Sequence, residues 1–279
     1  MLVAGRHGYF LINLNDVYVG QALALYGEYC ADEAAFLARI VKPGNHVVEV
    51  GANIGAHTIA LAKAVGSQGK VYAFEPQRAC YSLLQAQIAL NHTHQVRAYN
   101  EGLGQSLERL WLPFIDYSKP NNFGGASLSR DQSPEGELID VTTLDSRLPD
   151  VPVSLIKIDV EGMEEDVIRG GSNLIRKHRP LLYVENDRIE KSRSLVALIM
   201  ELGYRLWWHI PDLYCKNNFF QVGENIFGKA ASFNMFCACH DHEAAAGLLE
   251  IKSPDDPHPL APKPLAPKPP PGSVQYRFT

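Results

Sequence analysis

An apolar run at positions 47–50 ends in Gly51-Ala52-Asn53-Ile54-Gly55, and a helical stretch, 56–64, opens on the far side. A strand that passes through glycines into a helix start offers bare backbone and unpaired N–H groups to a ligand. In open α/β sheets ligands sit beyond the carboxyl ends of the strands, where this loop falls. Glu75 follows 24 residues after Gly51, at the end of the next apolar run. A carboxylate there can accept hydrogen bonds from both hydroxyls of a ribose.

The rest of the chain repeats this rhythm. Strands are expected at 47–50, 70–74, 96–99, 153–158, 181–184, 204–209 and 233–239, and helices at 56–64, 79–90, 164–177 and 195–202. Short apolar strands interleaved with helices predict a doubly wound, mostly parallel, seven-stranded α/β sheet. The last two strands have no helix between them, so one is expected to run antiparallel at an edge. Residues 1–44 read as an N-terminal cap, with strands at 9–14 and 17–19 and a helix at 31–41. Residues 45–252 form the main domain. A long irregular stretch at 104–140, with Gly124-Gly125-Ala126-Ser127 inside it, points to a functional loop. Nine of the 18 prolines fall between Pro254 and Pro271, and Ala-Pro-Lys-Pro occurs twice, so 253–279 reads as a disordered tail able to dock another protein.

Two adenosine-containing cofactors suit the loop. A dinucleotide fingerprint needs a glycine where Asn53 stands and another where Ala56 stands. No Lys-Ser/Thr pair follows for a nucleotide triphosphate. A cationic sulfonium needs no clearance for phosphates and favours the acids at strand ends: Glu49, Glu75, Asp159, Glu161 and Glu185. These features favour S-adenosylmethionine over NAD. The net charge of −5 disfavours a nucleic-acid backbone as partner. No apolar run reaches the roughly 18 residues of a membrane span. Five scattered cysteines without a C-x-x-C pair suit a reducing cytoplasm. Cys237-Ala238-Cys239-His240-Asp241-His242 reads as a buried strand rather than a metal site.

The ordered series Val48-Glu49-Val50-Gly51-Ala52-Asn53-Ile54-Gly55, Val71-Tyr72-Ala73-Phe74-Glu75-Pro76, Thr143-Leu144-Asp145 and Ile156-Lys157-Ile158-Asp159-Val160-Glu161-Gly162-Met163-Glu164, completed by Pro180 and Val184-Glu185, resembles the FkbM-type methyltransferases. These belong to the Rossmann-like class I S-adenosylmethionine-dependent fold. The resemblance implies methyl transfer to a hydroxyl of a small molecule or glycan, such as a sugar or natural product. It places Gly51, Asn53 and Gly55 around the methionine part of the cofactor and Glu75 on the ribose. Asn100 and Glu101 then fall near the adenine, with Glu49 and Thr58 flanking the cofactor loop. The match fades after Glu185.

An alcohol is a weak nucleophile until its proton is removed or its oxygen binds a metal. Asp159 and Glu161, beyond the fourth strand, are the expected catalytic carboxylates, with Lys157 on the same strand face as a partner. His57, at the helix start, is a further candidate base, or else a local packing residue. Asp159, Glu185 and Asn186 resemble the set by which catechol-type O-methyltransferases hold a divalent ion, and their hard oxygens would suit Mg²⁺. Tyr26, Glu28 and Tyr29 could close over the cofactor, and Trp207, Trp208, Phe219 and Phe220 could floor a pocket. Two rival readings remain: a dinucleotide oxidoreductase on the same fold, and a non-catalytic binding module built around the proline-rich tail.

Overall fold

In the computed structural model, which describes residues 1–262, a hairpin of β1 (Leu2–Gly5) and β2 (Gly8–Leu11) leads into helices α1 (Val19–Tyr26) and α2 (Ala31–Ile40). Alternation then begins: β3 (His46–Val50), α3 (Ala56–Val65), β4 (Lys70–Phe74), α4 (Arg78–Leu90) and β5 (Val96–Tyr99). Three short strands follow, β6 (Gly102–Leu103), β7 (Glu108–Leu112) and β8 (Glu137–Thr142), with the one-turn helix α5 (Leu144–Arg147). The second half holds β9 (Val153–Ile158), α6 (Glu164–Gly170), α7 (Ser172–His178), β10 (Leu181–Glu185) and α8 (Ile189–Glu201), then β11 (Arg205–His209), β12 (Asn234–Ala238) and β13 (Leu249–Ile251).

The main sheet has eight strands in the order β13-β11-β12-β10-β9-β3-β4-β5, and β10, β9, β3, β4 and β5 run parallel. Side chains alternate across it. Val48, Val50, Ile156, Ile158 and Val184 pack beneath the α6–α8 face, while Val47, Leu155 and Tyr183 pack with Phe36, Leu37 and Leu61 on the other. Both faces are covered, which is why β3 is apolar at Val47, Val48 and Val50, with Glu49 the one charged residue.

The antiparallel strand expected at an edge is instead β12, inserted between β10 and β11 and antiparallel to both. Its five residues are all buried, and a strand apolar on both faces belongs inside a sheet. An eighth, β13, takes the edge. The expected helix 164–177 breaks at Gly170-Gly171, where a Cβ on Gly170 would stand 1.9 Å from the Gly104 carbonyl oxygen. Residues 17–19 are not a strand, since Val19 opens α1. The stretch 104–140 is less irregular than expected: β7 and β8 pair within it and Leu110 and Leu112 are buried.

The packed domain also passes the expected boundary at 252. Arg193 pairs with Asp255 at 2.7 Å, and His258 is buried against Trp208, with Nε2 2.8 Å from the Asn186 carbonyl oxygen. Residues 263–279, with most of the repeated Ala-Pro-Lys-Pro, lie outside the described residues. Among the described residues no helix is long and apolar enough to cross a membrane.

Candidate functional site

The exit of β3 is forced into its shape by its neighbour. A Cβ on Gly51 would stand 1.7 Å from the carbonyl oxygen of Asp159, where β3 and β9 leave the sheet side by side. Gly51, Asn53 and Gly55 all hold positive φ, at 84°, 50° and 89°. The resulting turn drops Asn53 against Glu75. The Asn53 N–H donates to Glu75 Oε2 at 2.7 Å and the Gln77 N–H to Oε1 at 2.8 Å. Each oxygen keeps a second lone pair for a ligand. Burial pushes the Glu75 carboxyl up to about 7, against those two bonds.

A cavity of ≈ 260 Å³ lies beyond these strand ends, bordered by Gly51, Asn53, Glu49, Glu75, Asp159 and Glu185. Glu49 is buried at its base and accepts from Thr58 Oγ1 at 2.5 Å; burial pushes it up to about 7. Thr58 itself is fully buried and holds Glu49 rather than facing the cavity. Gly55 also stays behind the turn, its N–H donating to the Ala52 carbonyl.

The two residues expected near an adenine are committed differently. Asn100 donates its amide to the carbonyls of Glu75 and Pro76, at 2.9 and 3.0 Å, and braces the β4 exit. Glu101 borders the cavity but is ion-paired with Arg147 at 2.6 Å.

At the opposite end, Lys157 is buried on β9 with Nζ 2.9 Å from Asp159 Oδ2 and 3.7 Å from Glu33 Oε1. Burial opposes its charge, yet Asp159, Glu33 and Glu49 outweigh that and raise its pKa. Burial also works against the Asp159 carboxylate, but the Lys157 ammonium outweighs it and holds Asp159 below the usual range. Asp159 keeps 35% of its side chain open to the cavity, whereas Lys157 keeps 2%. Beside it, burial and the Asp159 charge push Glu185 well up, so the two neighbouring acids are driven in opposite directions.

Glu161 completes the cluster: ligand oxygens of Asp159, Glu161 and Glu185 lie within 4.8 Å of one another. It sits at φ 56° and pairs with Arg188 at 2.9 Å. Burial pushes its carboxyl up to about 7. Ser127 Oγ donates to the Glu161 carbonyl at 2.7 Å, which ties the Gly124–Ser127 loop down over the site. Asn186 does not join. Its buried amide donates to Ser192 Oγ at 2.9 Å and faces Met235 Sδ, and it does not border the cavity, whereas Glu161 stands there with Asp159 and Glu185.

Of the aromatic candidates, Trp207 and Trp208 pack into opposite cores, and Phe219 and Phe220 lie on Gly27. Tyr26 and Glu28 hold the 210–233 connection: Tyr26 Oη donates to the Glu224 carbonyl at 2.9 Å, and Glu28 accepts from the Phe219 N–H. Only Tyr29 of that group reaches the cavity, with Leu213 and Ser232 from the connection.

Glu33 was not anticipated. It stands on α2 in line with Leu37 and Ile40, at helical spacing, and an acid on an apolar helix face is the signal that could have found it.

The family model for the methyltransferase FkbM domain matches residues 49–206, which includes every carboxylate of this cavity except Glu33. The chain belongs to the FkbM methyltransferase family. It is 31% identical over 169 residues to Methyltransferase 1 of Beauveria bassiana, covering 52% of this chain and 64% of that relative, just under two thirds of its length. Methyltransferase sdnD of Sordaria araneosa is 27% identical over 205 residues, 61% of this chain and 74% of that one. Among solved structures, the FkbM methyltransferase of Methylobacillus flagellatus has TM-score 0.43 and 17% identity, over 80% of this chain and 56% of its own. The mixed α/β sheet described above is the framework of this FkbM-family chain, with the Gly51–Gly55 turn at the end of β3.

Proposed function

We propose that this FkbM-family chain transfers a methyl group from S-adenosylmethionine to a hydroxyl of a small molecule or glycan. The observation that carries the reading is the convergence of Glu49, Glu75, Asp159, Glu161 and Glu185 on one cavity. Such a lining attracts a cation and accepts hydrogen bonds, and it repels phosphates. That favours a sulfonium over a dinucleotide. The residues fit the cofactor: Glu75 would hold the ribose, and the backbone from Gly51 to Asn53 would border the methionine part. When bound, the cofactor supplies an electrophilic methyl group.

Asp159, kept ionised by Lys157, accepts a hydrogen bond from the acceptor and fixes it in place. Glu185, kept protonated beside it, can donate to a second oxygen of the acceptor. Orientation of this kind supplies a large share of the acceleration. Tyr29, Phe123 and Leu213 add apolar wall to the polar floor, which suits a small organic acceptor. The reading needs no divalent ion, because Lys157 and Arg188 already balance two of the three clustered carboxylates. All five cysteines are free, in keeping with a reducing cytoplasm.

The test has two stages. Isothermal titration should detect S-adenosylhomocysteine and not NAD. Incubation with labelled cofactor and a metabolite or glycan extract of the source should then give a methyl ether. Binding of NAD alone, or label found only on nitrogen, overturns the reading.

A further inference from the structure

A carboxylate held below its usual range orients a hydroxyl well but is a poor resting place for its proton. The same cavity contains a second acceptor. His57 is buried, borders the cavity, and has no hydrogen-bond partner at Nε2. Its other nitrogen, Nδ1, lies 3.6 Å from Glu33 Oε1. Glu33 is itself 2% exposed; Asn234 Nδ2 donates to its Oε2 at 3.3 Å, and its Oε1 has no hydrogen-bonded partner.

We propose that Glu33 is the positioning residue of a Glu33–His57 dyad, holding the imidazole proton on Nδ1 so that Nε2 receives the proton of the acceptor hydroxyl. The proposal rests on the methyltransferase reading above and assigns the proton within it. At 3.6 Å the pair is longer than a hydrogen bond, as such pairs are before substrate arrives, and it tightens as the imidazolium forms.

The acids around His57 favour that charge. Glu33, Glu49 and Asp159 stand around one ammonium, Lys157, which is hydrogen-bonded to Asp159. Glu33 is therefore a surplus buried acid, and a second cation beside it relieves an unbalanced carboxylate. Burial keeps the resting imidazole neutral, with Glu33 and Asp159 acting against that and Lys157 reinforcing it. The Tyr29 ring covers His57 at 5.7 Å, and His7, from the β1–β2 turn, is pushed down by burial to about 4 and so adds no charge near neutrality.

In the step, the acceptor O–H bond breaks and its proton passes to Nε2. The oxygen's electron pair forms the new O–CH₃ bond, and the S–CH₃ bond breaks with its pair left on sulfur. The imidazolium, countered by Glu33, then returns the proton to water.

The experiment is long-range ¹H–¹⁵N correlation of the imidazoles in the labelled full chain saturated with S-adenosylhomocysteine. The wild-type His57 should carry its proton on Nδ1 with Nε2 bare. Glu33→Gln should lower the His57 pKa by about one unit or more and Glu33→Asp should restore part of it. A wild-type proton on Nε2, or a tautomer and pKa untouched by Glu33→Gln, overturns the dyad. The wild-type tautomer needs no variant, so a poorly folding Glu33→Gln does not shield the proposal. Failure of S-adenosylhomocysteine to bind would count against the methyltransferase reading instead.

Discussion

Lys157 Nζ lies 2.9 Å from Asp159 Oδ2, and the ammonium is buried while the carboxylate opens to the cavity. One member of the pair belongs to the core and the other to the site. Asp159→Asn should therefore leave the fold and S-adenosylhomocysteine binding intact. Transfer of labelled methyl should fall by about 10²-fold, the scale set by loss of acceptor orientation. Unchanged turnover in a folded variant would remove Asp159 from the reaction.

Lys157→Met should act on stability. It leaves the buried acids Glu33 and Glu49, with Asp159 beside them, without their shared cation, a change of about 3–5 kcal/mol. Urea unfolding at pH 7 reads the loss. It should shrink toward pH 5, because Glu49, whose carboxyl burial already pushes up, takes up a proton in the native state more readily than in the unfolded chain.

The sign of a second pH effect follows from Glu49. Its folded pKa, about 7, lies above the ordinary 4.5, so the native chain binds the extra proton across that window. Stability from this group is therefore full below about 4.5 and lost as pH rises through 7. Glu49→Gln, which can still accept from Thr58, should be more stable than wild type by about 1–3 kcal/mol at pH 8. The difference should vanish near pH 4.5, and thermal unfolding at the two pH values checks it.

Chelation should have no effect. With Lys157 on Asp159, Arg188 on Glu161 and the Asn186 amide turned to Ser192, two of the three clustered acids have their own cations. EDTA-treated protein should transfer label at the untreated rate. A loss restored by Mg²⁺ would reinstate a metal on Asp159, Glu161 and Glu185.

His258→Ala should lower stability by about 1–3 kcal/mol, since it removes the contact with Trp208 and the bond to the Asn186 carbonyl. Proteolysis near residue 252 should accelerate in parallel.

This last contact marks where the sequence stops being legible. Prolines at 254, 257 and 259 argue against helix and strand, and composition alone cannot show that His258 between them is buried. The central strands were readable because apolar continuity reports burial on both faces. The position of β12 was carried by the same signal, its uninterrupted Met235-Phe236-Cys237-Ala238, but order along the chain suggested an edge. In the site, Gly51, Asn53, Glu75 and Asp159 could be found because strand ends converge in this architecture. Asn186 could not be told from a ligand, since its amide meets Ser192 and Met235 only through the fold. Glu33 lies 124 positions from Lys157 and comes near it only through the fold.

The 210–233 connection is held by Tyr26 across 198 positions of sequence and supplies Leu213 and Ser232 to the cavity. A ribosome-bound chain ending after β10 would already contain the turn at Gly51 and the acids at 75, 159 and 185. It would lack the side of the cavity wall that Leu213 and Ser232 supply. On the proposed reading, the wall that would face an acceptor is made after the strand ends that would face the methyl donor, and contacts of such separation form late in folding as well.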